Sequence, residues 1–156
     1  MPTFVYIDGI ATYQYWSILC TTGNQRQLAE IQFKTSSGGS DAIPTMTSAT
    51  TSGVTMSGDS TFAGGQEPWR AGADDGTATL FGSNGSAGAC RLTVDFGVGN
   101  EKAILEWTVQ CASASTANAP VDMKLQYSTD GLSWVDRDPR TGLSWSTSEV
   151  KTFTCP

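Results

Sequence analysis

Strict alternation of apolar and polar residues constrains this chain more than any other feature. In Val121-Asp122-Met123-Lys124-Leu125-Gln126-Tyr127-Ser128 every second residue is apolar. A strand sends successive side chains to opposite faces. Val121, Met123, Leu125 and Tyr127 are therefore expected to face a core, and Asp122, Lys124, Gln126 and Ser128 to face outward. Residues 90–96 repeat the pattern, with Cys90, Leu92, Val94 and Phe96 inward, and residues 105–111 do so again. A helix cannot use a period of two. Further strands are expected at 4–7, 13–20, 29–34, 133–136 and 150–155. Residues 25–31 hold one helical turn at most.

Turn-forming clusters separate the strands: Thr22-Gly23-Asn24, Asp74-Asp75-Gly76, Asn84-Gly85 and Asp130-Gly131 among them. Each supplies residues that accept positive φ or bond their own backbone. Many short strands joined by such turns predict an all-β fold, an antiparallel β-sandwich or jelly roll. No composition break or internal repeat divides the chain, so residues 1–156 are read as a single domain. Residues 48–65 are rich in Ser, Thr and Gly, but Val54, Met56 and Phe62 punctuate them. This predicts an ordered loop or edge strand. Asp130-Gly131 is expected to turn a hairpin, after which Trp134 packs on the sheet beside the inward residues.

Composition removes whole classes of function. The chain has no histidine, which excludes His-based triads, imidazole acid–base chemistry and His-ligated zinc. Nine basic residues within a net charge of −6 make a poor nucleic-acid binder, because phosphate contacts supply most of that affinity. No run of about 18 apolar residues is available to span a membrane. The N-terminus, MPTFVYIDGI, lacks the basic region of a secretory signal. Cys20, Cys90, Cys111 and Cys155 match neither a redox pair nor a zinc knuckle and are expected as buried thiols, with one or two disulfides the alternative for a protein that matures outside the cytoplasm. No catalytic pair stands out. Asp74 and Asp75 are neighbours whose side chains diverge, and Asp136, Arg137 and Asp138 read as a solvated or salt-bridged turn before Pro139. No enzyme is expected.

Four segments together resemble galactose-binding-like domains, the discoidin and coagulation-factor C-type sandwiches. Tyr15-Trp16-Ser17-Ile18 followed by Leu28-Ala29-Glu30-Ile31-Gln32-Phe33 resembles that family's paired "YWRI…IAEIEF" strands. AGADDGTATLFGS, residues 71–83, is similar to its "A-x-DG-x-x-T-x-W" loop, with Leu80-Phe81 in place of the usual Trp. Leu92-Thr93-Val94-Asp95-Phe96-Gly97 matches its "DFG" strand. Residues 125–134, LQYSTDGLSW, match its "QYSDDGxxW" hairpin. The resemblance covers about residues 13–136. In most discoidin-type members the Glu-bearing strand closes the domain, whereas here it opens the chain. That order is similar to the rearrangement seen in phage virion proteins of this superfamily.

The resemblance implies a carbohydrate-binding bacteriophage virion protein of tail, fibre or capsid, assembled in the host cytoplasm. Its partners would be host-surface carbohydrate and other virion proteins, without nucleic acid or membrane insertion, and it would form a homo-oligomer. Ligands of sugar-binding relatives sit on loops, which here implicates Trp69, Arg70, Glu67 and Asn84, with capping of the core the equal alternative for Trp69. Trp145, also in an expected loop, is read as structural or as a subunit contact. The family's loop often holds a structural Ca²⁺, and the matching positions are Asp75, Thr79 and Glu30. A tight Asp-Gly turn flanked by Thr hydroxyls offers the oxygens calcium prefers, although an Asx-type turn without metal has the same sequence. The same scaffold also serves architecture. A decoration or connector protein with no sugar ligand, and a carbohydrate-targeting module of a secreted enzyme, are the alternatives.

Overall fold

A computed structural model describes residues 6–7, 10–22, 26–59, 61, 64–76, 81–82, 89–112 and 116–156. Eleven strands follow one another: β1 (Tyr6–Ile7), β2 (Ile10–Ala11), β3 (Tyr15–Thr22), β4 (Leu28–Lys34), β5 (Thr50–Thr51), β6 (Val54–Gly58), β7 (Cys90–Asp95), β8 (Glu106–Cys111), β9 (Asp122–Ser128), β10 (Val135–Arg140) and β11 (Val150–Thr154). All pairings between them are antiparallel. One sheet has the order β10-β9-β3-β7-β6-β5 and the other β11-β8-β4, with β1-β2 forming a separate hairpin. The chain is an all-β sandwich.

Alternation accounts for most of the core, although Val121, expected inward, is exposed just before β9, and Gln126 and Ser128, expected outward, are buried. Trp16, Ile18, Leu92, Val94, Met123 and Leu125 come from the large sheet, and Ile31, Phe33, Trp107 and Val109 from the small one. All ten are buried in one cluster. The expected inward cysteines Cys20, Cys90 and Cys111 are buried, Cys155 is half-buried, and all four are free thiols. Residues 48–59 form β5 and β6 at the edge of the large sheet, with Val54 and Met56 buried. Phe62 lies outside the described residues. Residues 28–31 are strand, because Leu28, Ala29 and Ile31 are needed in the core.

The hairpin after β9 turns where expected. Asp130 Oδ1 accepts from the N–H groups of Leu132 and Ser133 at 2.8 and 2.7 Å, and Ser128 Oγ accepts from that of Gly131 at 2.9 Å. Gly131 has φ +72°, and a Cβ there would meet the Tyr15 ring at 3.3 Å.

Two expectations for this region need correction. Trp134 lies on the outer face of the large sheet, its ring 4.8 Å from the Arg91 guanidinium. One strand position separates Trp134 from Val135, which pairs with inward-facing Tyr127, so the ring is carried to the opposite face. Residues 136–138 are not a solvated turn but part of β10. A bulge between Asp136 and Asp138 puts both on paired positions of β9, opposite Gln126 and Leu125. The extra residue switches faces. Asp136 therefore bonds Lys124 on the outside, while Asp138 points inward and is buried.

Loops cover the open edge of β4. Leu28 exchanges both backbone hydrogen bonds with Phe81, at 3.0 and 2.9 Å. Phe33 N–H donates to Asp41 Oδ1 at 2.8 Å, and Phe33 C=O accepts from Ala42 at 2.6 Å. An edge strand whose polar groups are so satisfied offers no template to another chain. The same covering brings residues 64–76 alongside β4.

Candidate functional site

A short 3₁₀ turn, Pro68–Gly72, carries two of the four residues expected to bind carbohydrate, Trp69 and Arg70, and a third, Glu67, is its N-cap. Proline opens it, where a missing N–H costs nothing and φ is already set. Ala71 and Gly72 anchor it in the core, and a Cβ on Gly72 would meet Met56 Sδ at 2.7 Å and Met46 Cγ at 2.8 Å. With the turn pinned from beneath, Glu67, Trp69 and Arg70 occupy its outer side. Arg70 Nε donates to Glu67 Oε2 at 2.5 Å. The Arg70 guanidinium lies 4.7 Å from the centre of the Trp69 ring. Arg70 also holds the Glu67 carboxyl down to about 2, with the Gly65 N–H adding to the effect. Trp69 is half-buried, one part of the ring packed on the core. The result is an amphipathic patch with an aromatic surface, a planar five-donor cation and a fixed carboxylate. Asn84 lies outside the described residues. Trp145 is half-buried against the core, donates from Nε1 to Pro120 C=O at 2.7 Å, and carries the Lys151 ammonium 5.1 Å from its ring.

Four residues beyond Arg70 the chain reaches Glu30. The carboxylate that meets Glu30 is that of Asp74, which has φ +55°. Asp74 and Asp75 are both exposed, and Thr79 lies outside the described residues. Burial pushes the Glu30 carboxyl up, and the Asp74 charge adds to it, against hydrogen bonds from Gln32 and the Gly76 N–H. Asp41 is drawn into the same field. Burial, with smaller contributions from Asp74 and Glu30, lifts its carboxyl to about 6 even though the N–H groups of Ile43 and Phe33 bond it. Among the described residues no group of three or more Cys, Asp or Glu side chains is arranged to hold a metal. Glu30 and Asp74 do fit a cation in one respect: two interacting carboxylates, with no lysine or arginine bonded to either among the described residues, are stabilised by a positive ion between them. They would supply only part of the oxygens calcium requires.

The outer face of the small sheet continues from Glu30. Glu30 lies opposite Gln110, Gln32 opposite Thr108, and Lys34 opposite Glu106. At the far end the Lys34 ammonium sits 3.0 Å from Glu106, which also accepts from Ser37 Oγ and the Gly38 N–H. Sequence alternation marks all six residues as outward. Their assembly into one surface depends on the β4–β8 register, which no local pattern encodes.

Comparison with protein-family models, curated proteins and solved structures returns no match to this chain.

Proposed function

We propose that this protein is a non-enzymatic bacteriophage virion component, of tail, fibre or capsid surface, that binds carbohydrate on the host. Its scaffold would be a sandwich of galactose-binding-like type. The observation that carries this reading is the 67–70 turn, which presents an aromatic ring, a guanidinium and a carboxylate together on a loop pinned to a rigid scaffold. Aromatic rings stack on the apolar faces of pyranoses, and the charged pair offers donors and acceptors to ring hydroxyls. A second observation supports the family reading. The resemblance implies that the Glu-bearing strand meets the Asp-Gly loop, and Glu30 meets Asp74. Calcium, when bound, would be held by Glu30 with Asp75 and Thr79, Asp74 and other loop oxygens adding to the set, and would supply charge neutralisation and order to the segment that follows Arg70. Weak single-site affinity would be amplified by multivalent display on an oligomer.

The test is a glycan array probed with the whole protein, with and without Ca²⁺, beside Trp69→Ala and Glu30→Gln. Saturable binding that Trp69→Ala removes is the expected result. Binding unchanged in Trp69→Ala, or absent from the folded protein, overturns it. An architectural role is the second reading, favoured by two exposed apolar tips. Val98 is 85% and Leu132 84% exposed. Both follow strand ends next to Tyr15, the end of the sandwich away from Gly58 and Pro68. Docking through that end would leave the 67–70 turn free.

A further inference from the structure

The outer face of the small sheet contains a groove that the carbohydrate turn does not use. Its middle row is small: Thr108 faces Gln32 on one side and Thr152 on the other, with the two Thr hydroxyls 3.3 Å apart. Thr108 points away from the core yet is only 7% exposed, because the longer side chains on either side stand above it. The Lys34–Glu106 pair closes one end. What remains is a groove of about 110 Å³ lined by Glu30, Gln32, Thr108, Gln110 and Val150.

The hydrogen-bonding inventory of this groove is lopsided. Gln32 Nε2 donates to Glu30 Oε1 at 2.9 Å, and Gln110 Nε2 donates to the Ser148 carbonyl at 3.3 Å. Both partners are oxygens, which fixes the amide orientations. One N–H of each amide is thus committed within the protein, and neither amide oxygen is bonded by a described residue, so both acceptors are available to the groove. Directly paired strand residues on one face stand about 5 Å apart at Cβ, so Glu30 and Gln110, with Gln32 two residues along β4, place their acceptors on one patch. Lys34, the cation on this face, is neutralised by Glu106. The ligand that complements such a surface brings several donors and a positive charge, and it meets a chain of net charge −6.

We propose that this groove binds the protonated amine of a non-acetylated amino sugar. The ammonium has three donors, which match the two amide oxygens and the Glu30 carboxylate. The ring lies toward Val150, and its hydroxyls meet Thr108 and Thr152. The volume suits the amine-bearing edge of one sugar unit rather than a buried oligosaccharide. This deepens the carbohydrate reading by naming a glycan class, and to that extent rests on it, but the site is separate from Trp69.

The test is an NMR titration of the isotope-labelled whole protein in calcium-free buffer. The probes are glucosamine, N-acetylglucosamine, galactose and lysine amide. Glucosamine is expected to shift the Gln32 and Gln110 side-chain amides saturably, and N-acetylglucosamine to bind at least about tenfold more weakly. Gln110→Met is expected to weaken glucosamine about tenfold with an unchanged Tm, and Trp69→Ala to leave it unaltered. Equal shifts with all three sugars, or none with glucosamine, overturn the proposal. So does lysine amide binding as tightly as glucosamine, which would mark a bare ammonium site. Glucosamine binding here with no response on the glycan array would refute the host-binding role while leaving the groove assignment standing.

Discussion

Asp138 holds the two sheets together along one side, and removing its carboxylate measures how much that linkage contributes. Its Oδ2 accepts from Trp107 Nε1 at 2.7 Å and from Arg140 Nη2 at 2.8 Å. The same Arg140 nitrogen donates to Thr154 C=O at 3.0 Å, and the guanidinium lies 4.9 Å from the Phe153 ring. Phe153 in turn packs 4.6 Å from Trp107. One carboxylate thus joins β10 of the large sheet to β8 and β11 of the small one. Asp138 is 3% exposed and Trp107 fully buried. Asp138→Ala orphans the indole N–H, which costs about 1–3 kcal/mol. Breaking a buried ion pair costs about 3–5 kcal/mol when the remaining charge stays dry. The Arg140 side chain is 33% exposed and can hydrate, so only about 1 kcal/mol of that penalty remains. The expected total is about 2–4 kcal/mol, which for a domain of this size lowers Tm by about 5–15 °C. Asp138→Asn keeps an acceptor for the indole and loses only the charge, so about 1–2 kcal/mol is expected. Urea denaturation followed by tryptophan fluorescence gives both values, and Trp107→Phe completes a double-mutant cycle. An Ala variant within about 0.5 kcal/mol of the parent, or one no worse than the Asn variant, would refute the linkage.

Three further outcomes are expected. The Asp41 carboxyl, lifted to about 6 in the fold from 3.8, keeps a proton that the unfolded chain has already released, so stability falls as pH rises from about 4 to 6. Asp41→Asn retains an acceptor for the Phe33 and Ile43 N–H groups and should flatten that slope in calcium-free denaturation curves, adding on the order of 2 kcal/mol at neutral pH; an unchanged slope rejects the assignment. Cys20 faces Cys90 in register, and the Phe96-to-Gln14 bond sets the alternation that makes theirs a hydrogen-bonded rung. Such a rung holds Cβ atoms about 5 Å apart, beyond the ~3.8 Å a disulfide needs. Burial moreover pushes the Cys20 thiol up to about 12 and Cys155 up to about 11, so thiol reagents should label them only on unfolding, and a Cys20–Cys90 crosslinked peptide from folded protein oxidised with glutathione disulfide would contradict this. Gly131→Ala forces an L side chain to φ +72° against the Tyr15 ring, and a loss of about 1–2 kcal/mol is expected in thermal unfolding; a neutral effect would show that the hairpin relaxes.

Strands were legible because burial on one face imposes a period of two, which residues 90–96, 105–111 and 121–128 display without interruption. The turn at Asp130-Gly131 was legible because the backbone demand and the residues that meet it are adjacent in sequence. The bulge between Asp136 and Asp138 was not legible. A single inserted residue leaves composition unchanged but reverses the face of everything beyond it, so the sequence DRDP reads as a polar turn. The same limit hid Asp74 and Asp41. Their surroundings come from β4, more than forty and about ten residues away respectively, and only the folded edge brings the three carboxylates into one field.

The candidate site follows the same division. Trp69 and Arg70 stand out in sequence as an aromatic and a cation between a proline and a glycine, a turn with something to present. Glu67 becomes their partner through local geometry of the kind a short 3₁₀ turn provides, since residues three apart eclipse one another. The groove on the small sheet has no local signature at all, because Gln32, Thr108 and Gln110 each look like an ordinary outward strand residue. Its acceptor-rich character emerges only when β4, β8 and β11 are set in register and the two amide nitrogens are seen to donate to Glu30 and Ser148. Chemistry built by register is therefore the part of this molecule that one changed pairing would erase. A one-residue slip of β4 against β8 would carry Glu30 and Gln32 to the opposite face. The buried Ile31 and Phe33 that prevent the slip are thus as necessary to the groove as the residues that line it.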